Sequence, residues 1–173
     1  QFSEIKNEEK YFKFNGYNSK ITLKLNDFSL NNSILFFSFQ LSDEVNIANN
    51  QPNNLPLILF QSDTGNDILF KLYLKKENNS NKLFIYQQKG EKKKIFKSLD
   101  KLGNIQSNIL YFIAIKFTNK KIRIFLNKLD KIYEKLDEEN DTYEIDKASP
   151  ILKICHDDIK NEYFKGYIGS FII

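Results

Sequence analysis

The sequence predicts an all-β fold, a two-sheet antiparallel β-sandwich of jelly-roll type, on three observations. Apolar residues recur with period two over most of the chain, which marks half-buried strands. The composition favours pleated surfaces over long helices, with 16 Phe, 9 Tyr and 22 Ile against three Ala. Asn-, Gly- and Asp-containing turns separate these short runs at strand-length intervals.

The elements follow in order. In Lys20–Leu25, Ile21, Leu23 and Leu25 share a face opposite Lys20, Thr22 and Lys24. In Ser33–Leu41, Leu35, Phe37, Phe39 and Leu41 alternate with Phe36, Ser38 and Gln40. Leu57–Gln61 is a short apolar run after Pro56, and Asp67–Lys75 alternates Ile68 and Phe70 against Leu69 and Lys71. Lys82–Gln88 follows as the second arm of a hairpin. Ile109–Thr118 and Lys121–Asn127 form another hairpin with Ile122, Ile124 and Leu126 inward, and Gly166–Ile173 closes the chain. Residues 129–139 read as the best helix, with a charged hairpin arm as the alternative; 46–54 and 138–150 read as long loops. Phe37, Phe39, Ile122, Ile124 and Leu126 are expected between two sheets, with the terminal strands adjacent in one of them. The chain, 1–173, reads as one domain, and its start at Gln1 without any methionine reads as excision from a larger protein.

Charge and composition narrow the function classes. The net charge of +4 comes from 25 lysines, and Arg123 is the only arginine. A specific nucleic-acid reader is expected to use arginine for bidentate contacts, so none is expected here. The Lys, Asn, Ile, Phe and Tyr excess reads as an AT-rich source genome, and the sequons at Asn31, Asn78 and Asn140 then carry no message about secretion. No apolar run is long enough for a membrane span. Cys155 is the only cysteine, so no intrachain disulfide forms, which favours a reducing, cytoplasmic setting over an extracellular or cell-surface one.

Catalytic constellations find no support. His156, the single histidine, neighbours Cys155, but adjacent strand residues face opposite ways, so His156 reads as a surface histidine and not as a thiol's partner. Glu144 and Asp146 match the first two acids of an E-x-D-x-E glucanase signature, but Ala148 stands where the third acid belongs. No phosphate-cradling glycine motif occurs and no cofactor is expected. Tyr73, Tyr86 and Tyr111 read as core or sheet-face residues, not sugar platforms. No metal is expected; the oxygen clusters that calcium would need are Asp63, Asn66 and Asp67 around Gly65, and Asp157 with Asp158, where turn chemistry explains the residues equally well.

Several segments carry a family resemblance. Ser33–Leu41 (SILFFSFQL), then Leu57–Ser62 and Asp67–Leu74, resemble the opening of a laminin G-like or concanavalin A-like jelly roll. Ile109–Phe117 with Lys121–Asn127 (ending RIFLN) is similar to that family's "W-H-x-I-x-V … I-x-L-Y-V-N-G" hairpin. Phe164-Lys165-Gly166-Tyr167-Ile168-Gly169-Ser170-Phe171 resembles the closing "F-x-G-x-I-G-x-F" strand. The tryptophan expected near Tyr111 and the C-terminal cysteine pair of extracellular laminin G modules are missing. These departures make the chain more similar to the intracellular concanavalin-like domains of BEACH-family scaffold proteins, which close with a "G-x-I-G" strand. The resemblance implies a non-catalytic recognition or scaffolding module. A protein partner in an intracellular trafficking scaffold is the expectation, and a lectin-like surface domain binding glycan or protein, with or without calcium, is the alternative.

Overall fold

In the computed structural model, residues 11–42, 54–65, 67–77, 80–90, 93–118, 121–128, 131–139 and 149–173 are described. The strands are β1 Phe12–Asn15, β2 Ile21–Lys24, β3 Ile34–Leu41, β4 Asn54–Gln61, β5 Ile68–Glu77, β6 Ser80–Lys89 and β7 Lys93–Ser98. After a 3₁₀ turn at Asp100–Leu102 come β8 Leu110–Thr118, β9 Lys121–Lys128, β10 Lys131–Glu139, β11 Ile151–Ile154, β12 His156–Asp157, β13 Glu162–Tyr163 and β14 Lys165–Ile172. Among the described residues there is no α-helix, and no helix long and apolar enough to cross a membrane.

Two six-stranded antiparallel sheets face each other, β1-β14-β3-β8-β9-β10 and β2-β11-β4-β5-β6-β7, and β12 pairs β13 in a small separate ladder. The termini meet in one sheet, Phe12 opposite Ile168, but through β1, which the alternation does not show; the strand read first, Lys20–Leu25, is β2 and lies in the other sheet. Alternation decides which side chains meet between the sheets. Phe37, Phe39, Ile122, Ile124 and Leu126 are all buried there, with Leu57, Phe60, Phe70, Leu72 and Leu74 facing them. Phe117 from β8 reaches across and meets Phe60 and Phe70 edge-on, at ring-centroid distances of 6.0 and 5.1 Å. That geometry sets ring edges against ring faces, the arrangement aromatic quadrupoles favour. Gly166 is required by close approach: a Cβ there would lie 2.2 Å from the Gln40 carbonyl oxygen.

Residues 131–139 form a strand and not a helix. β10 pairs β9 from Lys131 opposite Lys128 to Glu139 opposite Lys121. Its Lys, Glu and Leu content suits a helix, but an open β9 edge offers ladder hydrogen bonds that outweigh a propensity of only tenths of a kcal/mol per residue. Glu138 and Glu139 therefore belong to β10 rather than to a loop, and Asn54 belongs to β4. Of the expected loops, residues 46–53 and 140–148 lie outside the described residues, as do Glu144 and Asp146 of the partial glucanase match.

Phe117→Ala removes the ring that locks the two sheets together. It is expected to cost about 3–5 kcal/mol, read as a lowered urea midpoint with an unchanged slope.

Candidate functional site

The outer face of the second sheet carries the chemistry. Core-facing Phe70, Leu72 and Leu74 alternate along β5 with Lys71, Tyr73 and Lys75, which point away from the core. Opposite them on β6 stand Tyr86, across from Lys71, and Phe84, across from Tyr73. The chain then folds back over this face. At Cys155 the backbone takes φ 65°, turning out of β11, and the β12–β13 hairpin crosses the sheet. Two backbone hydrogen bonds hold the turn: the Cys155 amide donates to Leu57 at 3.0 Å, and the Phe164 amide to Cys155 at 2.9 Å. The Cys155 thiol is fully covered, and burial pushes its pKa up.

The hairpin is pinned by an ion cluster. Lys71 Nζ lies 2.6 Å from Asp157 Oδ2 and 2.7 Å from Glu162 Oε2, and all three residues are at most 5% exposed. Asn54 Nδ2 donates to the other Glu162 oxygen at 2.7 Å, and the amides of Ile159 and Lys160 donate to Asp157 Oδ1 at 3.1 and 3.4 Å. Every carboxylate oxygen of the cluster thus has a partner, the condition for burying charge without a large net penalty. Tyr73 lies under the same cluster, its ring 5.1 Å from Lys71 Nζ; burial first, and the Glu162 charge second, push its phenol far above the ordinary value.

His156 sits beside this cluster, and it is buried rather than at the surface. A carbonyl only accepts, so the 3.0 Å contact to Ile154 O places the proton on Nδ1, and Thr22 Oγ1 at 3.1 Å donates to Nε2. Burial pushes the imidazole pKa down, with the Ile154 carbonyl and Asp158 opposing. Asp158 is reached by Lys153 at 3.3 Å, Lys20 at 3.4 Å and His156 at 3.5 Å. Burial raises the Asp158 pKa, but His156 and the two lysines outweigh it and hold the carboxyl below its usual value.

Between the hairpin and the sheet lies a shallow groove of about 210 Å³, lined by Asn54, Lys71, Tyr73, Lys75, Tyr86 and Lys160. Lys160 Nζ lies 5.4 Å over the Tyr86 ring, and Lys75 Nζ 5.4 Å over Phe84 while pairing with Glu77 at 2.8 Å. A second recess of about 320 Å³ opens at the β1–β14 edge beside Lys13, Tyr17, Ser42 and Tyr167.

The residues weighed for calcium are spread over different tasks. Asp157 is committed to Lys71, and it lies in a buried strand rather than a turn; Asp158 is committed to Lys153 and Lys20. Asp63 Oδ1 accepts the Thr64 amide at 2.8 Å, and Asp67 Oδ1 accepts the Gly90 amide at 2.7 Å. Asn66 lies outside the described residues. Among the described residues no three His, Cys, Asp or Glu side chains are grouped to hold a metal. Tyr111 is core and stacks on Phe39 at 5.4 Å, while Tyr73 and Tyr86 lie on the sheet face. The sequence marked Lys71 only as an outward strand position. Nothing in its neighbourhood announces burial, because the covering acids lie 86 and 91 residues further along the chain.

Lys71→Met leaves two buried carboxylates facing each other and is expected to destabilise by about 3–5 kcal/mol. Adding Asp157→Asn and Glu162→Gln should recover most of that loss in the same urea titration. The depressed His156 pKa makes the unfolded chain bind a proton that the folded one refuses. Its contribution is therefore complete above about pH 6.5 and is lost as pH falls below that value. The lowered Asp158 pKa acts in a separate window, below about pH 4. Stability measured from about pH 7 to about pH 5 should fall, and His156→Gln should flatten that slope while leaving the more acidic one.

No family model matches this sequence, and no curated protein matches it. Solved structures do. Domains LG4-5 of the mouse laminin alpha1 chain align with a TM-score of 0.61 at 10% identity, over 94% of this chain and 41% of that one. This chain thus spans well under half the length of that laminin fragment. Congerin II liganded with lactose and MES aligns at TM-score 0.54 and 8% identity, over 89% of this chain and 98% of that one. Caenorhabditis elegans galectin LEC-6 aligns at 0.51 and 10%, over 92% and 96%. These similarities support the sandwich part of the sequence resemblance and give none to its BEACH part. The chain has the two-sheet antiparallel jelly-roll fold that laminin G domains and galectins share.

Proposed function

We propose that the chain is a non-catalytic recognition module that takes a protein ligand in the groove beside the β12–β13 hairpin. The observation that carries this reading is the cover on its tyrosines. Lys71 Nζ lies over Tyr73 and Lys160 Nζ over Tyr86, at 5.1 and 5.4 Å. An ammonium over a ring occupies the face on which a sugar would stack, and ammonium groups at a rim favour acidic side chains. At about 210 Å³ the groove is smaller than the roughly 300–1,000 Å³ of an enclosing small-molecule site. It suits a few side chains of a larger partner.

A glycan ligand is the second reading, and the lactose-liganded congerin II neighbour favours it. It requires Lys160 to leave the Tyr86 ring. The proposed setting is a large intracellular scaffold of BEACH type, in which this sandwich is a single domain. The G-x-I-G closing strand and the lone Cys155 support that setting.

Amide shifts of isotope-labelled protein test the ligand class. A glutamate-rich peptide should move Lys75, Tyr86 and Lys160, lactose should not, and Lys160→Glu should weaken the peptide at least tenfold, about 1.4 kcal/mol. Shifts from lactose alone would replace the protein reading by the glycan one. Silence from both at millimolar concentration would remove the groove as a site.

A further inference from the structure

The outer face of the first sheet departs from the pattern of a two-layer sandwich, whose outward positions are ordinarily polar. Register aligns Ile172, Phe36, Ala114 and Phe125 in one row across β14, β3, β8 and β9. Phe112, in the next outward row, stacks on Phe36 at 6.2 Å. Ile34 and Ile172 project at 55% and 62% exposure, and the three phenylalanines are half-buried. A contiguous apolar patch of this kind marks an interaction surface.

Charge narrows the occupant. The described outward side chains of β1, β3, β8, β9 and β14 include lysines and Arg123 but no Asp or Glu. β10 sets Asp137 opposite Arg123 and Glu139 opposite Lys121. Lys116, by contrast, is exposed between Ile34 and Arg123, and Lys13 lies over Tyr167 toward the opposite end. The second sheet's outer face is different, with Lys71, Lys75, Lys82 and Lys153 each paired to an acid.

We infer that the Ile34–Phe36–Phe112–Phe125–Ile172 face is a second docking surface, for an acidic amphipathic protein segment whose apolar side chains are flanked by Asp or Glu. This surface is independent of the groove. A second copy of the chain fits poorly, because face-to-face pairing brings Lys13 and Lys116 of both copies into one interface. A membrane fits poorly because, of the five apolar residues that define this face, only Ile34 and Ile172 are exposed while Phe36, Phe112 and Phe125 are half-buried. Four strands about 4.8 Å apart and eight residues of about 3.3 Å give roughly 500 Å² for the whole flat face, below the roughly 800 Å² each partner contributes to a standard interface and in the range of small, transient ones.

The probes are a helical peptide with a Leu/Phe stripe flanked by glutamates, its lysine-flanked counterpart, and phosphatidylserine–phosphatidylcholine vesicles. Sedimentation velocity reports self-association. The glutamate peptide should bind. Ile172→Asp and Lys116→Glu, both at exposed positions and checked for an unchanged melting temperature, should each weaken it tenfold or more. Lys160→Glu in the groove should not. The inference is overturned by no binding of the glutamate peptide or by equal binding of the lysine peptide. Vesicle binding lost in Ile172→Asp, or a dimer that this variant dissociates, overturns it as well.

Discussion

The ammonium group of Lys71 lies on the outside of a sheet yet has almost no contact with water, and the arrangement around it follows from that placement. A buried lysine without a counter-charge would be too costly to retain, so the chain must bring acids to it. It does so by leaving β11 at a left-handed Cys155 and laying Asp157 and Glu162 over β5. A buried ion cluster contributes little net stability compared with an apolar replacement, but it is strongly directional. Here it sets where the β12–β13 hairpin crosses the sheet, and with it the wall of the groove and the position of Lys160 over Tyr86. Asn54, from the start of β4, fixes the remaining Glu162 oxygen and ties the hairpin to a second strand.

The core imposes a different kind of constraint. Phe60, Phe70 and Phe117 meet between the sheets without polar groups, and Leu, Ile and Phe fill the rest of the layer. Such packing is tolerant of sequence so long as volume and alternation are kept. This accounts for a shared sandwich at about one-tenth identity with the laminin fragment. It also means that the fold carries no information about ligand, which must be read from the outer faces.

How much was legible follows the same division. Alternation in Ser33–Leu41, Ile109–Thr118 and Lys121–Asn127 is long enough to assign strands, faces and core together, and those assignments agree with the structure. β1, β11, β12 and β13 have four residues or fewer and lack the flanking alternation that extends the equally short β2 to Lys20–Leu25. β10 was obscured because its composition is that of a helix, and pairing with β9 overrode it. His156 looked like a surface residue because the cover it receives from Thr22 and Ile154 comes from sheet register, not from its own neighbours in sequence. The candidate site failed to show for the same reason: Lys71, Asp157 and Glu162 are unremarkable one at a time and acquire meaning only once the hairpin is placed.

The two outer faces then differ in how their exposed groups are satisfied within the chain. On the second sheet, Lys71, Lys75, Lys82 and Lys153 are each paired with an acid, and the crossing hairpin leaves a shallow groove beside it as the proposed site. On the first sheet, register sets Asp137 of β10 opposite Arg123 and Glu139 opposite Lys121, but the apolar row from Ile172 to Phe125 receives no hairpin among the described residues. Apolar area left in water forgoes about 25 cal/mol per Å², and a sheet face gains that only by meeting another surface. The Lys116 charge beside Ile34 selects among such surfaces by sign, since burying it against a basic or neutral partner removes its hydration without replacement. Shape and hydrophobicity thus set that a partner is accommodated on this face, and the exposed Lys116 and Lys13 set which partners are refused.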